Sequence, residues 1–483
     1  MQDGNTRLEK PANPKLGQPL LAAAAVVFIF YACALPILFS PRITHGRAAA
    51  DHLNYHEPVI HTFARQWPAP DLSNYHSATT PLYHLLLAAT EVAFHPSRRV
   101  LMLEASLFTA GLLGLLAWSL PLGIGLRLAL LAPMLGSMYV LYPGIWLLPD
   151  NAAWLGVLAV LLLSLRARSG CKTLLASGIV LVVLVLTRQI HLWAAAVIWA
   201  CAWLGPQDDP KPDMNAPLRP AARVRGLFES FPSRCRRLLP AVVCTLPAFA
   251  AVGYFVSLWH GLVVPRYQEG EHGGYHGWNP ATAAFHLAIF GSFAPLYAGY
   301  AWCGLRRLFR TRSVLVGAVV LALVVTIVPE TTYDASMGRK SGLWNLVRIA
   351  PVLAQHTSIV LLVLAPLGAM LIAALLSQMR PRSGWIFLAA LVAFVGAQTL
   401  SPQLWQRYHE PFILMMLALM SAEAIRDERG GVGRFVRLWR LVGPVLLGLI
   451  LAAASIATIA AAKPAVSLPT GDFERSLEYE PLR

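Results

Sequence analysis

The stretch Asp51-His52-Leu53-Asn54-Tyr55-His56-Glu57 gathers two carboxylates, two imidazoles, an amide and a phenol within seven residues. On a helix, Asp51, Asn54 and Tyr55 would share a face at i, i+3 and i+4. Further ionisable groups stand beside apolar runs: Asp150 after Pro149, Arg188 with Gln189 and His191, His260 with Arg266, Glu330, Arg348, and Arg407 with Tyr408, His409 and Glu410. Ionisable groups near a bilayer are costly unless they face protein or water, so each marks a candidate functional position. Together they describe a polar cavity that suits a reaction needing one general base and cationic partners for a phosphate leaving group. The pattern lacks GxxxxGK[ST], HExxH, GxSxG and DxD, so nucleotide, zinc-protease, serine-hydrolase and metal-bound nucleotide-sugar chemistries have no motif here.

The elements that must hold these groups are membrane helices. Of 483 residues, 57% are hydrophobic and 13% charged, against roughly 25% charged in a soluble domain. Apolar runs fall at about 19–40, 101–120, 126–142, 151–167, 173–188, 191–205, 238–259, 281–303, 313–329, 357–377, 384–400, 410–424 and 441–461, which makes thirteen candidate helices. The fold class expected is an all-α polytopic membrane protein. The run Gln18–Ser40 is longer than a signal-peptide core and reads as a retained first helix. The net charge of +15 comes from short Arg and Lys clusters between apolar runs, as in cytoplasmic loops, and no nucleic-acid motif accompanies it. The six cysteines include no CxxC, so neither a zinc site nor a disulfide framework is indicated.

Loop charge sets the orientation. A basic set comprises the tail 1–18, Arg166 to Lys172, the loop 206–237, RRLFRTR, MRPR and RDERGGVGRFVRLWR. A second set is rich in His, Tyr, Trp, Asn and carboxylates: the first loop 41–100, LLPDN, TRQIH, 260–280, 330–356 and SPQLWQRYHEP. Placing the basic set in the cytoplasm puts the N-terminus inside and both the first loop and the tail 462–483 outside. Within the first loop, AAADHLNYHEPVIHTFARQWP can form one helix with a kink at Pro58, and Thr79-Thr80-Pro81 opens a second, apolar helix suited to the interface.

Several segments in order resemble a known family: ADHLNYHEPVIHTFARQW, SATTPLYHLLLA, LLPDNAAWLGVLAVLLL, LVLTRQIHLWAAAV, WHGLVVPRYQEGEH with AAFHLAIF, and WQRYHEPFILMML. Over residues 19–424 the chain resembles the dolichyl-phosphate-glucose α-1,2-glucosyltransferases of the GT-C superfamily, most specifically in its RQ corner and in TTPxY, which contains Thr80 and Tyr83. The resemblance implies a GT-C bundle spanning 19–461, with amphipathic helices of the first external loop covering the site. It also implies transfer of a hexose, glucose favoured, from a polyprenyl-phosphate carrier to a lipid-linked or other glycan acceptor, with inversion.

Carried over by position, Asp51 is the catalytic base, and Asp150 orients the acceptor or the base with Asn54, Tyr55 and His56 beside it. Arg188 and Gln189 match the RQ corner, while Arg407 and Tyr408 match a late RY. For the donor phosphate the candidates are Arg407 and Arg348, with Arg266, His272 and His409 behind them. No metal and no cofactor beyond the lipid-linked donor is expected. The chain departs from the family at His52, where the family has Glu, at His56, one place late, and at Ile190-His191, which replace a Thr-Asn pair. The Arg-rich composition suggests a bacterial inner membrane with the site facing the periplasm. A transporter or flippase of lipid-linked or anionic sugars is the alternative, as is a GT-C enzyme using another sugar such as mannose. Matching broken helices in two halves, which an inverted-repeat transporter would show, are not evident.

Overall fold

The computed structural model describes residues 17–166, 170–206, 220–266, 277–426 and 431–465, together with Met214, Ala216, Leu218 and Glu428. His272, the tail up to residue 16, part of the 206–237 loop and the tail beyond 465 lie outside the described residues. Every one of the thirteen apolar runs is occupied by helix, from Gly17–Leu38 to Arg434–Ala461. Six of these helices are long and apolar enough to cross a membrane, and eight crossings result if two bent pairs each count once. The protein is therefore a helical, multi-pass membrane protein. Several spans carry large apolar side chains outward, among them Phe28, Val183, Leu246, Leu321 and Ile456. A soluble monomer would not leave so much apolar surface open, whereas lipid covers it without cost.

Close helix contact comes from glycine. The helices Thr282–Arg310 and Ile359–Gln378 pack along most of their length, and a Cβ on Gly368 would stand 1.9 Å from the Leu287 carbonyl oxygen. A Cβ on Gly291 would be equally close to the Leu364 oxygen. Such backbone approach gains dispersion contact where lipid provides no hydrophobic drive between helices.

Among the described residues, the two sets of loops separate to opposite ends of the bundle. At one end the first loop meets the chain's last described residues: Gly46 N–H donates to Lys463 O at 2.8 Å and Ala465 N–H to Thr44 O at 2.8 Å. There too Trp259 Nε1 donates to Leu72 O, Asn279 N–H to Thr399 O, and Leu404 N–H to Met337 O. A small hairpin, Val352–Leu353 with Thr357–Ser358, also belongs to this end. At the other end arginines bind helix carbonyls: Arg382 those of Ser164, Leu165 and Gly205, Arg234 that of Trp203, and Arg307 that of Ser377. These carbonyls close helix C-termini, where cations also meet the negative end of the macrodipole.

Candidate functional site

Asp51 ends the short helix Gly46–Asp51, and the next five residues, His52–His56, form a single π turn in which Glu57 N–H reaches the His52 carbonyl. Pro58 supplies the cause. It has no N–H, and in an α-helix its ring would strike the carbonyl four residues back, so widening the turn by one residue relieves the clash. The helix expected here therefore forms with a different internal spacing. Asn54 turns into the core, while the Tyr55 ring packs 5.0 Å from the His76 ring.

Asp51 instead meets Arg407, from the first turn of the helix Gln406–Ile425. Arg407 Nη1 donates to Asp51 Oδ2 at 2.5 Å, and Nη2 to the Tyr408 hydroxyl at 2.7 Å. A second acid–arginine pair stands beside the first: Arg188 Nη1 donates to Asp150 Oδ1 at 2.5 Å. Asp150 opens the helix Asp150–Arg166, where the positive end of the macrodipole favours a carboxylate. The guanidinium carbons of Arg188 and Arg407 lie 5.0 and 4.8 Å from the centre of the Tyr408 ring. The phenol thus joins the two pairs through cation–π contact.

The pairs border a cavity of about 660 Å³, lined by Asp150 and Arg407, a size that suits a small-molecule ligand. One wall is apolar, from Met138, Leu148, Ala457 and Ala461. The opposite chemistry gathers around Trp405: Arg47 lies 4.1 Å over its ring, Lys340 Nζ 4.8 Å and Arg407 5.9 Å. Of these cations only Arg407 has a carboxylate ion pair among the described residues. Lys340 is held below the usual lysine range, first by desolvation and then by Arg47. Arg47, Lys340 and Trp405 were not singled out from sequence. The available signal was that PRITHGRAAAD and GRK carry cations among otherwise acid-bearing loops.

Other candidates prove to be braces or core. Gln189 Nε2 donates to the carbonyls of Ala78 at 2.8 Å and Leu262 at 2.7 Å, and its Oε1 accepts from Thr80 N–H. The Thr80 hydroxyl donates to Val185 O at 2.6 Å. These bonds clamp the TTP segment to the end of the helix Cys171–Thr187 and so steady the Arg188 corner. His56 Nδ1 lies 3.0 Å from His84 Nε2 behind the acid–arginine pairs. Burial, followed by His84 and the charges of its neighbours, including Arg188 and Arg407, holds His56 well below the usual histidine range and therefore neutral. Tyr83 is buried against His84 and Phe108.

His409 and His191, expected at the site, do not reach the cavity. His409 sits among Phe285, Phe394 and His286, with 3.3 Å between the two Nδ1 atoms. His191 packs its ring 4.8 Å from Trp154. Both stand where helices cross, so their rings fill the core. Arg348 is exposed on the short helix Leu343–Ile349, its guanidinium 5.8 Å from the Tyr333 ring and outside the cavity lining. Arg266 N–H donates to Asn74 Oδ1 at 3.2 Å, which ties its segment to the first loop.

The first loop is also held from behind. Glu57 is buried and accepts from Arg98 Nε at 2.5 Å, and His61 Nδ1 lies 2.6 Å from Glu91 Oε1. Burial opposes both charges, yet His61 and Arg98 hold the Glu57 carboxyl down to about 2. Glu57 and Glu91 likewise raise His61 to about 9 despite its desolvation. His52, in the same cluster, is lowered by burial to about 4 and is neutral.

No family model matches the chain, and neither the curated proteins nor the solved structures compared with it contain a match.

Proposed function

We propose that the protein is an inverting glycosyltransferase that moves a hexose, glucose favoured, from a polyprenyl-phosphate donor to an acceptor hydroxyl at the end of the bundle bearing the first loop. The observation that carries it is one cavity lined by Asp150, Arg407, Arg47 and an apolar wall, with Asp51 reaching its edge through Arg407 and Lys340 standing beside it over Trp405. An amphipathic sugar phosphate needs carboxylate, cations and apolar wall together.

Inverting displacement requires the base and the phosphate-binding cations to stand on opposite sides of the sugar. Arg407 is already engaged by Asp51, so it orients the base. The phosphate falls to Arg47 and Lys340, with Trp405 between them offering a face to the sugar or the cations. Arg47 and Asp51 belong to one helix, four residues apart, about 6 Å of rise. That separation leaves room for a pyranose ring between a phosphate at Arg47 and a base at Asp51. Asp51 then takes the acceptor proton as the new C–O bond forms and the lipid phosphate departs. Asp150, fixed by Arg188, orients the acceptor hydroxyl, and the wall of Ala457, Ala461 and Leu148 receives the first carbons of the lipid. The proposal includes a GT-C bundle of thirteen crossings, a cytoplasmic N-terminus, a periplasmic site in a bacterial inner membrane, and metal independence.

The test incubates purified protein in detergent with a panel of polyprenyl-phosphate sugars, with and without chelator, and follows sugar release by mass spectrometry. Release from the glucose donor that persists in chelator is the expected result. Binding of donors with no release from any of them would favour a carrier and overturn the proposal.

A further inference from the structure

A second cavity, of about 720 Å³, opens at the other end of the bundle. Arg166 and Glu423 in its lining lie at or near the C-terminal ends of the helices Asp150–Arg166 and Gln406–Ile425, whose N-terminal ends carry Asp150 and Arg407. Those helices have 17 and 20 residues, or about 25–30 Å at 1.5 Å per residue. The two cavities are thus separated by about the thickness of a bilayer's hydrocarbon core. With the first at one interface, the second lies among the headgroups of the other leaflet.

Four arginines line it, Arg166, Arg380, Arg382 and Arg426, against one carboxylate, Glu423. Arg382 is committed to structure. Its guanidinium binds the carbonyls of Ser164, Leu165 and Gly205 and the Cys201 thiol, and so ties two helix ends to the start of the helix Pro381–Thr399. Glu423 is engaged on both oxygens, by the Ser383 hydroxyl at 3.1 Å and by Arg426 Nη1 at 3.5 Å. The charge count over the remaining lining stays positive, and Arg426 keeps half its side chain open. Below the arginines the wall becomes apolar, with Leu162, Phe387 and Leu419.

We propose that this cavity binds the phosphate of an anionic membrane phospholipid, with Arg166, Arg380 and Arg426 as its recognition groups. Guanidinium forks match phosphate oxygens in pairs. Basic pockets between helices at the level of the headgroups attract acidic lipids. The apolar wall gives the glycerol and upper acyl carbons a surface that a free phosphate ion would not use. This site involves none of the residues lining the cavity beside Trp405, and its assignment is independent of the transferase proposal.

Native mass spectrometry of the full-length protein in detergent tests it, with phosphatidylglycerol or phosphatidylcholine of the same acyl chains added in equal amounts. Phosphatidylglycerol adducts should be retained about a hundredfold more, because each of the three arginines contributes roughly fivefold and its removal should lower the preference by that factor. The R166A/R380A/R426A variant should treat the two lipids alike, while the all-lysine variant keeps part of the preference. R166A alone, at an exposed position, supplies the same reading should the triple variant fail to fold. Equal retention by the wild type, an unchanged preference in R166A, or displacement of the lipid by millimolar inorganic phosphate would each overturn the proposal.

Discussion

Replacing Asp51 with Asn separates a catalytic carboxylate from a structural one. The change preserves shape and removes the negative charge that Arg407 meets at 2.5 Å. The side chains of Asp51 and Arg407 are 17% and 32% exposed, so as a partly buried pair they contribute about 1–3 kcal/mol to stability. Arg407 also keeps its bond to the Tyr408 hydroxyl, so the variant should melt within a few degrees of wild type. As general base, Asp51 should contribute about 10²–10⁴-fold to the rate, equivalent to about 3–5 kcal/mol of transition-state stabilisation. The mismatch between a small loss of stability and a large loss of rate is the signature. The assay measures single-turnover transfer from polyprenyl-phosphate glucose, donor binding and thermal unfolding on the same preparation. Transfer by Asp51→Asn within about threefold of wild type, with donor binding intact, would refute the base assignment.

Three other perturbations probe the remaining parts. Removing the cations around Trp405 in the R47A/K340A variant should weaken donor binding by about 10–100-fold for each lost charge-assisted contact; isothermal titration with a short-chain polyprenyl phosphate reads it, and unchanged affinity would move the phosphate elsewhere. Gly368→Ala forces a Cβ against the Leu287 carbonyl and should lower stability by about 1–3 kcal/mol, seen as a fall in melting temperature. His61 sits above its ordinary value of 6.5, at about 9, so its contribution to holding the first loop is complete below 6.5 and is lost as pH rises through 9. Protection factors of residues 57–65, exchange rates corrected for the intrinsic base-catalysed rate at each pH, should therefore fall between pH 6.5 and 9 in the wild type and lose that dependence in His61→Gln.

The helices were legible in the sequence because lipid demands long apolar runs, and all thirteen runs are helical. How many cross the membrane was less legible, since runs such as 126–142 break into helices bent by 80°. The segregation of loops by charge also carried over to the two ends of the bundle. Sequence treated the arginines of the basic end as orientation signals, yet Arg234, Arg307 and Arg382 also close helix C-termini, a role set by which carbonyls lie nearby.

The site was half legible. Asp51, Asp150, Arg188, Arg407 and Tyr408 were each identifiable as polar residues at helix ends, and they do converge. Their pairing was not, because it joins positions separated by 356 residues in one case. Nor could spacing reveal that Pro58 would widen the turn after Asp51. His191 and His409 turn away from the cavity: His409, two residues after Arg407, lies about 200° around its helix axis, and both rings enter aromatic core. The same geometry explains why Arg47 was missed. It is remote in sequence from Trp405 and Lys340, and only the fold sets a cation from the first loop against an indole from near the chain's end. A cation cluster built this way has no motif, so its residues are best found by asking which cations in an acid-bearing end of a membrane protein lack a carboxylate.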